Sequence, residues 1–280
     1  MENRIHKEPK GRNLQMINAA VLGSPITHSL SPLLHSLAYE HLGLKARYEA
    51  IEVKAGDLAK FLAGTDKNAL SLTMPLKEEA LKVADIVSDV AGKISCGNTL
   101  SLNKGVWSLT STDVSGFDHA FQMHGLEEVE SALIIGAGAT ARAAIASVST
   151  ITTSVAVVSR NPERQVDINK ACSMSVSYLP WEPTDVLNDA DLVINTTPGQ
   201  AADFFVSGID KPRGTLFEVV YHPWPTALSK AWSESKVQVI DGLDLLIHQA
   251  IAQIEIFSGG DCDRELLYAK MREAAVTKLA

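Results

Sequence analysis

The chain has 280 residues, 46% hydrophobic and 21% charged, with 25 Lys and Arg against 33 Asp and Glu for a formal net charge of −8. That length holds two modest domains, and the composition is that of an ordinary globular protein. The negative balance excludes a general nucleic-acid or membrane-surface binder, and no apolar run approaches the roughly 20 residues of a membrane helix.

The first thirteen residues, "MENRIHKEPKGRN", are polar and lack an apolar core. Residues 1–16 therefore read as a flexible tail and not as a signal peptide. "NAAVLG" is a short strand, and "SPLLHSLAYEHLG" a helix that Gly43 stops. "RYEAIEV" alternates as a second strand. "AGDLAKFLAG" predicts a short helix, "NALSLTMP" a third strand, and "LKEEALKVADIVSDVAGKI" a longer helix. "GNTLSLNKGVWSLTST" predicts a hairpin turning at Asn103-Lys104-Gly105. The alternation of strands and helices predicts parallel pairing with right-handed crossovers.

A second series starts with the helix "GFDHAFQMHGL", so a domain boundary falls near Thr112 to Gly116. Four Val- and Ile-rich runs follow the strand "SALIIGAG": "TSVAVVSR", "ADLVINTTP", "GTLFEVVY" and "VQVIDG". They scarcely alternate, as expected of strands buried on both faces of a parallel sheet. "LDLLIHQAIAQIEIFSGG" is an apolar helix and "CDRELLYAKMREAAVTKLA" an amphipathic one. The fold class is thus α/β, two αβ domains with a cleft between them.

"GAGATA" fits G-x-G-x-x-G/A with Gly136, Gly138 and Ala141 at the small positions, after a strand and before a helix. Gly136, Ala137, Gly138, Ala139 and Thr140 would bring backbone N–H groups to a pyrophosphate at the helix N-terminus. NAD binders carry an acid about 20 residues on. Here that strand ends in Ser159 and Arg160, with Arg164 nearby. Guanidinium groups in place of a carboxylate suit a 2′-phosphate, so the expected cofactor is NADP(H).

The first half collects polar residues at strand ends: "GSPITHSLSP", Thr73 and Lys77 in "SLTMPLK", Asn98 and Thr99 in "GNTL", and Asp113 in "STD". Such a set suits a small polyhydroxylated acid. On residue type alone, Lys77 reads equally as a surface lysine and Asp113 as a helix N-cap. Cys96, Cys172 and Cys262 show no disulfide or metal-ligand spacing, which fits a reducing cytoplasm. They read as small buried residues. His28, His35, His41 and His248 lack metal-ligand partners at useful spacing, so no metal is expected. Met74 and Trp107 read as core.

Taken together, "VLGSPITHSLSPLLH", "LSLTMPLK", "GNTL", "STDVSGF", "IIGAGATARA", "VINTTP", "VVYHPWPT" and "DGLDLLIHQAIAQIEIFSG" resemble the shikimate dehydrogenase family from about Ala19 to Gly259. The resemblance implies NADPH-dependent reduction of 3-dehydroshikimate to shikimate, on the way to chorismate and the aromatic amino acids. It implies Ser29 and Ser31 on the substrate carboxylate, Thr73, Asn98 and Gln249 on ring hydroxyls, Tyr221 close by, and Lys77 with Asp113 as the catalytic pair. Thr197 and Gly242 join the cofactor-binding set. It also returns the C-terminal helices to the first domain, making residues 17–114 and 243–280 a discontinuous substrate-binding domain around an NADP-binding Rossmann domain, 115–242. A homodimer is a further expectation of this kind. Two positions depart from the family pattern: Ser71 and Ser111 stand where asparagine is usual. They leave open quinate or an amino-shikimate as substrate, or a catalytically weak NADP-binding regulatory protein.

Overall fold

The computed structural model describes residues 16–183 and 185–280. The expected tail therefore lies outside the described residues save for Met16. Two six-stranded sheets carry the fold. The first has strands β1 (Ile17–Gly23), β2 (Ala46–Glu52), β3 (Ala69–Leu72), β4 (Ile86–Val87), β5 (Thr99–Asn103) and β6 (Val106–Thr110), in the order β2-β1-β3-β5-β6-β4. The second has β7 (Val129–Ile135), β8 (Thr152–Val158), β9 (Val176–Leu179), β10 (Leu192–Asn195), β11 (Thr215–Glu218) and β12 (Val239–Asp241), in the order β12-β11-β10-β7-β8-β9.

The second sheet is parallel throughout and has the doubly wound order 3-2-1-4-5-6 when β7 is counted first. The order reverses between β7 and β10. Gly136 and Thr196 follow the ends of those strands, with Thr196 N donating to Ile135 O at 2.9 Å. The first sheet departs from the expected parallel pairing. β3–β5 and β5–β6 are antiparallel, the latter through the predicted hairpin at Asn103-Lys104-Gly105.

The helices are α1 (Ser31–His41), α2 (Leu58–Gly64), α3 (Asp89–Lys93), α4 (Asp113–Met123), α5 (Ala139–Val148), α6 (Gln165–Ala171), α7 (Val186–Asp189), α8 (Ala227–Glu234), α9 (Gly242–Ser258) and α10 (Arg264–Leu279). One expected helix is corrected. "LKEEALKVADIVSDVAGKI" forms a 3-10 turn over Glu79–Lys82, then β4, then α3. Ile86 and Val87 pair with Ser108 and Leu109 on β6, and Ser88 starts α3 by accepting from Ala91 N at 3.3 Å. A distant strand and a local cap outweigh the helical periodicity.

Both faces of β1 are buried, in alternation. Ile17, Ala19 and Val21 pack with α1 and with Ile247, Ile251 and Met271 of the C-terminal helices. Ala20 and Leu22 pack with Leu58 and Leu76. The C-terminal helices therefore cover the first sheet. α9 also touches the second half: Leu245 joins Phe117, Ile134 and Ile145 in one core. Its partner α4 starts at the boundary read from the sequence and packs against α9 and α5. Gly116 allows the close approach, since a Cβ there would stand 3.2 Å from Gln249 Cβ.

Beneath β1, His35 is fully buried and its ring stacks on Tyr48, with centroids 4.0 Å apart. Its Nδ1 shares a hydrogen bond with Tyr39 Oη at 3.2 Å. Burial lowers its pKa from 6.5 to about 3, against a raising contribution from Gln253. The neutral ring is thus the folded form. Its contribution to stability is full above pH 6.5 and is lost as pH falls toward 3. His248, lowered to about 4 by burial and then by His119, acts in the same sense. The melting temperature is expected to drop between pH 6.5 and 5, and His35→Phe to flatten that drop. An equal slope in the variant would show that His35 does not drive it.

Candidate active site

Lys77 follows β3 and Asp113 opens α4, and the fold joins them. Lys77 Nζ donates to Asp113 Oδ2 at 2.6 Å. The other carboxylate oxygen, Oδ1, accepts from Asn98 Nδ2 at 2.8 Å. Asp113 is in the first helical turn, and Thr112 takes the cap position without capping the helix through its side chain, which bonds the Asn98 amide instead. Asn98 is the buried hub. Its Oδ1 accepts from Thr112 N at 2.8 Å and Thr99 Oγ1 at 2.7 Å, and its Nδ2 also reaches Gln249 Oε1 at 3.2 Å. Gly97 permits this packing, because a Cβ there would meet the Leu109 side chain at 2.5 Å.

Two adjoining cavities meet at the pair. One, of about 370 Å³, is lined by Ser29, Ser31, Ser71, Thr73, Asn98, Asp113, Gln249 and Gln253 among others. The second, of about 550 Å³, runs over Gly138, Ala139, Thr140, Arg164 and Thr197. Thr73, Lys77, Thr140, Val219 and Tyr221 line both. Every expected substrate-binding residue therefore faces the first cavity, and Lys77 stands on the seam. Ser29 precedes α1 and Ser31 opens it. Ser29 Oγ accepts from Ser31 N at 3.3 Å.

The second cavity lies beside the glycine turn and reaches it through Gly138, Ala139 and Thr140. Gly136 has φ +114°, and a Cβ there would meet Thr196 Oγ1 at 2.5 Å, so only glycine fits. Gly138 is exposed, with open space where a side chain would stand, directly before the N-terminus of α5. Of the other expected cofactor residues, Gly136, Ala137, Ser159 and Arg160 do not line this cavity, and Gly242 faces the first one instead. A Cβ on Gly242 would collide with Val219 O at 2.1 Å. Arg160 lies over the Trp181 ring at 5.0 Å. Arg164 pairs with Glu78, which also binds the buried Arg142 at 2.8 Å. Burial opposes ionisation of Glu78, but the two guanidinium groups outweigh it and hold the carboxyl below its ordinary value.

Several sequence readings are corrected here. Met74 is 59% exposed and lines the second cavity, whereas Trp107 is core as expected. Cys96 and Cys172 are buried, but Cys262 is half-buried beside Glu255. The hydroxyl of Ser111 is buried with no partner among the described residues. Sequence reasoning missed Glu78 and Gln253. The second carried a signal, since it lies one helical turn beyond Gln249 on the same face. Among the described residues no group of acids, His and Cys could hold a metal, and no helix is long and apolar enough to cross a membrane.

A family model for the shikimate dehydrogenase substrate binding domain matches residues 21–100. The NADP(+) shikimate dehydrogenase of Methanothrix thermoacetophila is 33% identical over 264 residues, spanning 91% of this chain and 96% of its own. Shikimate dehydrogenase from Mycobacterium tuberculosis superposes with a TM-score of 0.81 at 32% identity, covering 91% of this chain and 98% of that one. The Thermus thermophilus shikimate 5-dehydrogenase, solved in complex with NADP(H) and shikimate, gives 0.82 at 28% identity, over 92% of this chain and 100% of that one.

Proposed function

The chain belongs to the shikimate dehydrogenase family, and from that premise we propose that it reduces 3-dehydroshikimate to shikimate with NADPH in the cytoplasm, as a step toward aromatic amino acids. The observation that carries this is the Lys77–Asp113 pair at the seam of the two cavities. Gly136, Gly138 and the α5 N-terminus would hold the pyrophosphate, and Arg160 and Arg164 the 2′-phosphate. The nicotinamide, when bound, supplies or takes the hydride.

The remaining chemistry falls to this chain's side chains. Ser29 and Ser31, at the start of α1, would hold the carboxylate, while Thr73, Asn98 and Gln249 would meet ring hydroxyls. Lys77 Nζ holds a proton where the carbonyl oxygen gains negative charge, stabilises that charge and delivers the proton. Asp113 fixes the ammonium by its charge and by the 2.6 Å hydrogen bond. In the reverse direction Lys77 accepts the hydroxyl proton.

The test is NADP-linked oxidation of shikimate, followed by NADPH absorbance, with NAD and quinate run in parallel. Turnover with shikimate and NADP is the expected result. Preference for quinate would move the substrate assignment. Absence of turnover by a protein that still binds NADPH would replace catalysis with a regulatory role.

A further inference from the structure

Under the floor of the substrate cavity runs a file of hydrogen bonds that ends on the Lys77–Asp113 pair. Its middle member is Gln253, 1% exposed, reaching from α9 to the paired strands β3 and β5. Ser71 and Thr99 are cross-strand partners there. Their side chains share a face, and the Gln253 carboxamide spans them.

The direction of each bond follows from the chemistry of the partners. The Asn98 carbonyl can only accept, and it takes a hydrogen bond from Gln253 Nε2 at 3.1 Å. That contact turns the NH2 of Gln253 toward β5 and its oxygen toward β3. The same Nε2 donates to Thr99 Oγ1 at 3.0 Å, which commits the Thr99 proton to Asn98 Oδ1 at 2.7 Å. With Oδ1 taken by Thr99 and by Thr112 N, Asn98 presents its NH2 to Asp113. On the other side, Gln253 Oε1 needs a donor. Ser71 Oγ supplies it at 2.7 Å and accepts in turn from Tyr48 Oη at 2.6 Å. Ser71 is left with one lone pair and no proton for the cavity it lines.

We propose that Gln253 is a positioning residue for the reaction, an inference that rests on the function proposed above. It sets the polarity of the floor, so that Asn98 orients Asp113 for Lys77 and Ser71 meets the substrate as an acceptor only. The group above Ser71 is then a donor, as a ring hydroxyl is. The Asn98 carbonyl oxygen Oδ1 is held by two residues, through the backbone N–H and hydroxyl of Thr112 and through Thr99 Oγ1. Gln253 acts through the second.

The experiment compares kcat and KM for Gln253→Met, Thr99→Val, Thr99→Ser and the Met/Val double variant, with melting temperatures measured alongside. Gln253→Met keeps the volume and removes the polarity. Thr99→Val removes the intervening hydroxyl, and Thr99→Ser keeps it. A lost buried hydrogen bond that leaves its partner unsatisfied corresponds to about a 10-fold loss or more. We expect kcat to fall about 10- to 100-fold in Gln253→Met and Thr99→Val, with KM for NADP within about twofold of wild type. Thr99→Ser should stay near wild type, and the double variant should be no slower than the worse single one. Wild-type kcat in Thr99→Val, multiplying losses in the double variant, or losses confined to KM for NADP would each overturn the proposal. Thr99→Val against Thr99→Ser decides the matter even if Gln253→Met does not fold. A wild-type protein without shikimate turnover would reject the underlying function instead, and the two failures are told apart by that first measurement.

Discussion

Lys77→Ala is expected to lower kcat for shikimate oxidation by about 10²- to 10⁴-fold, the range of a positioned general acid or base. KM for NADP should change little, because the glycine turn and the α5 N-terminus are untouched. Lys77 Nζ is the ammonium that pairs with Asp113, at 2.6 Å. Its removal takes away both the proton carrier and the positive charge facing the developing alkoxide. Lys77→Arg should not restore the rate. A guanidinium is a planar fork that does not give up its proton near neutral pH, and it would reach past the position the ammonium holds. Asp113→Asn should be impaired as well, since the amide lacks the charge that orients the ammonium. Steady-state kinetics on the three variants decide this. A fall of less than tenfold in Lys77→Ala, beside an active wild type, would remove Lys77 from the role given to it. A protein whose wild-type activity is already nil would point to the regulatory reading.

Much of this site was legible in the sequence because each segment carries its chemistry at a strand end. Gly136 announced a turn that only glycine can make, and its φ of +114° and the 2.5 Å approach to Thr196 give the reason. The segments bearing Lys77, Asn98, Asp113 and Gln249 were visible, but only the family resemblance, and no local pattern, brought them together. Their meeting depends on α9 crossing from one core to the other through Leu245 and Ile247, a feature no local periodicity encodes. The antiparallel β3–β5 pairing was hidden for a related reason. The connection between those strands contains β4, whose two residues take their structure from β6. Met74 shows the limit of hydropathy: an apolar side chain on the lip of a groove has the same sequence signature as one in a core. Gln253 was visible as a polar residue on an apolar helix, yet nothing in the sequence says that its amide spans Ser71 and Thr99. Ser111 marks the opposite case, a buried hydroxyl left without a partner among the described residues.

Arg160→Ala is expected to raise KM for NADP about 10- to 150-fold and to leave KM for NAD nearly unchanged. β7 and β8 run parallel with Ile135 opposite Val158. The residues after β8 therefore lie one strand over from the glycine turn, where a dinucleotide laid across this sheet places its adenosine ribose. Two guanidinium groups stand near that edge, and they are not equivalent. Arg164 is engaged by Glu78. Arg160 is exposed, has no carboxylate partner among the described residues, and lies over Trp181 with its guanidinium 5.0 Å from the ring centroid. A guanidinium restrained by an aromatic face loses less freedom when it binds a phosphate. Arg160 should therefore carry more of the 2′-phosphate recognition. Hydrogen bonds to a charged group are worth about 1.5–3 kcal/mol each, which converts to the expected range. Arg164→Ala should have the smaller effect, because part of its charge is already spent on Glu78. Steady-state titration with both cofactors separates the outcomes. A larger loss in Arg164→Ala would place the phosphate on the Glu78 side of the groove, and equal losses for NAD and NADP would show that neither arginine reads the 2′-phosphate.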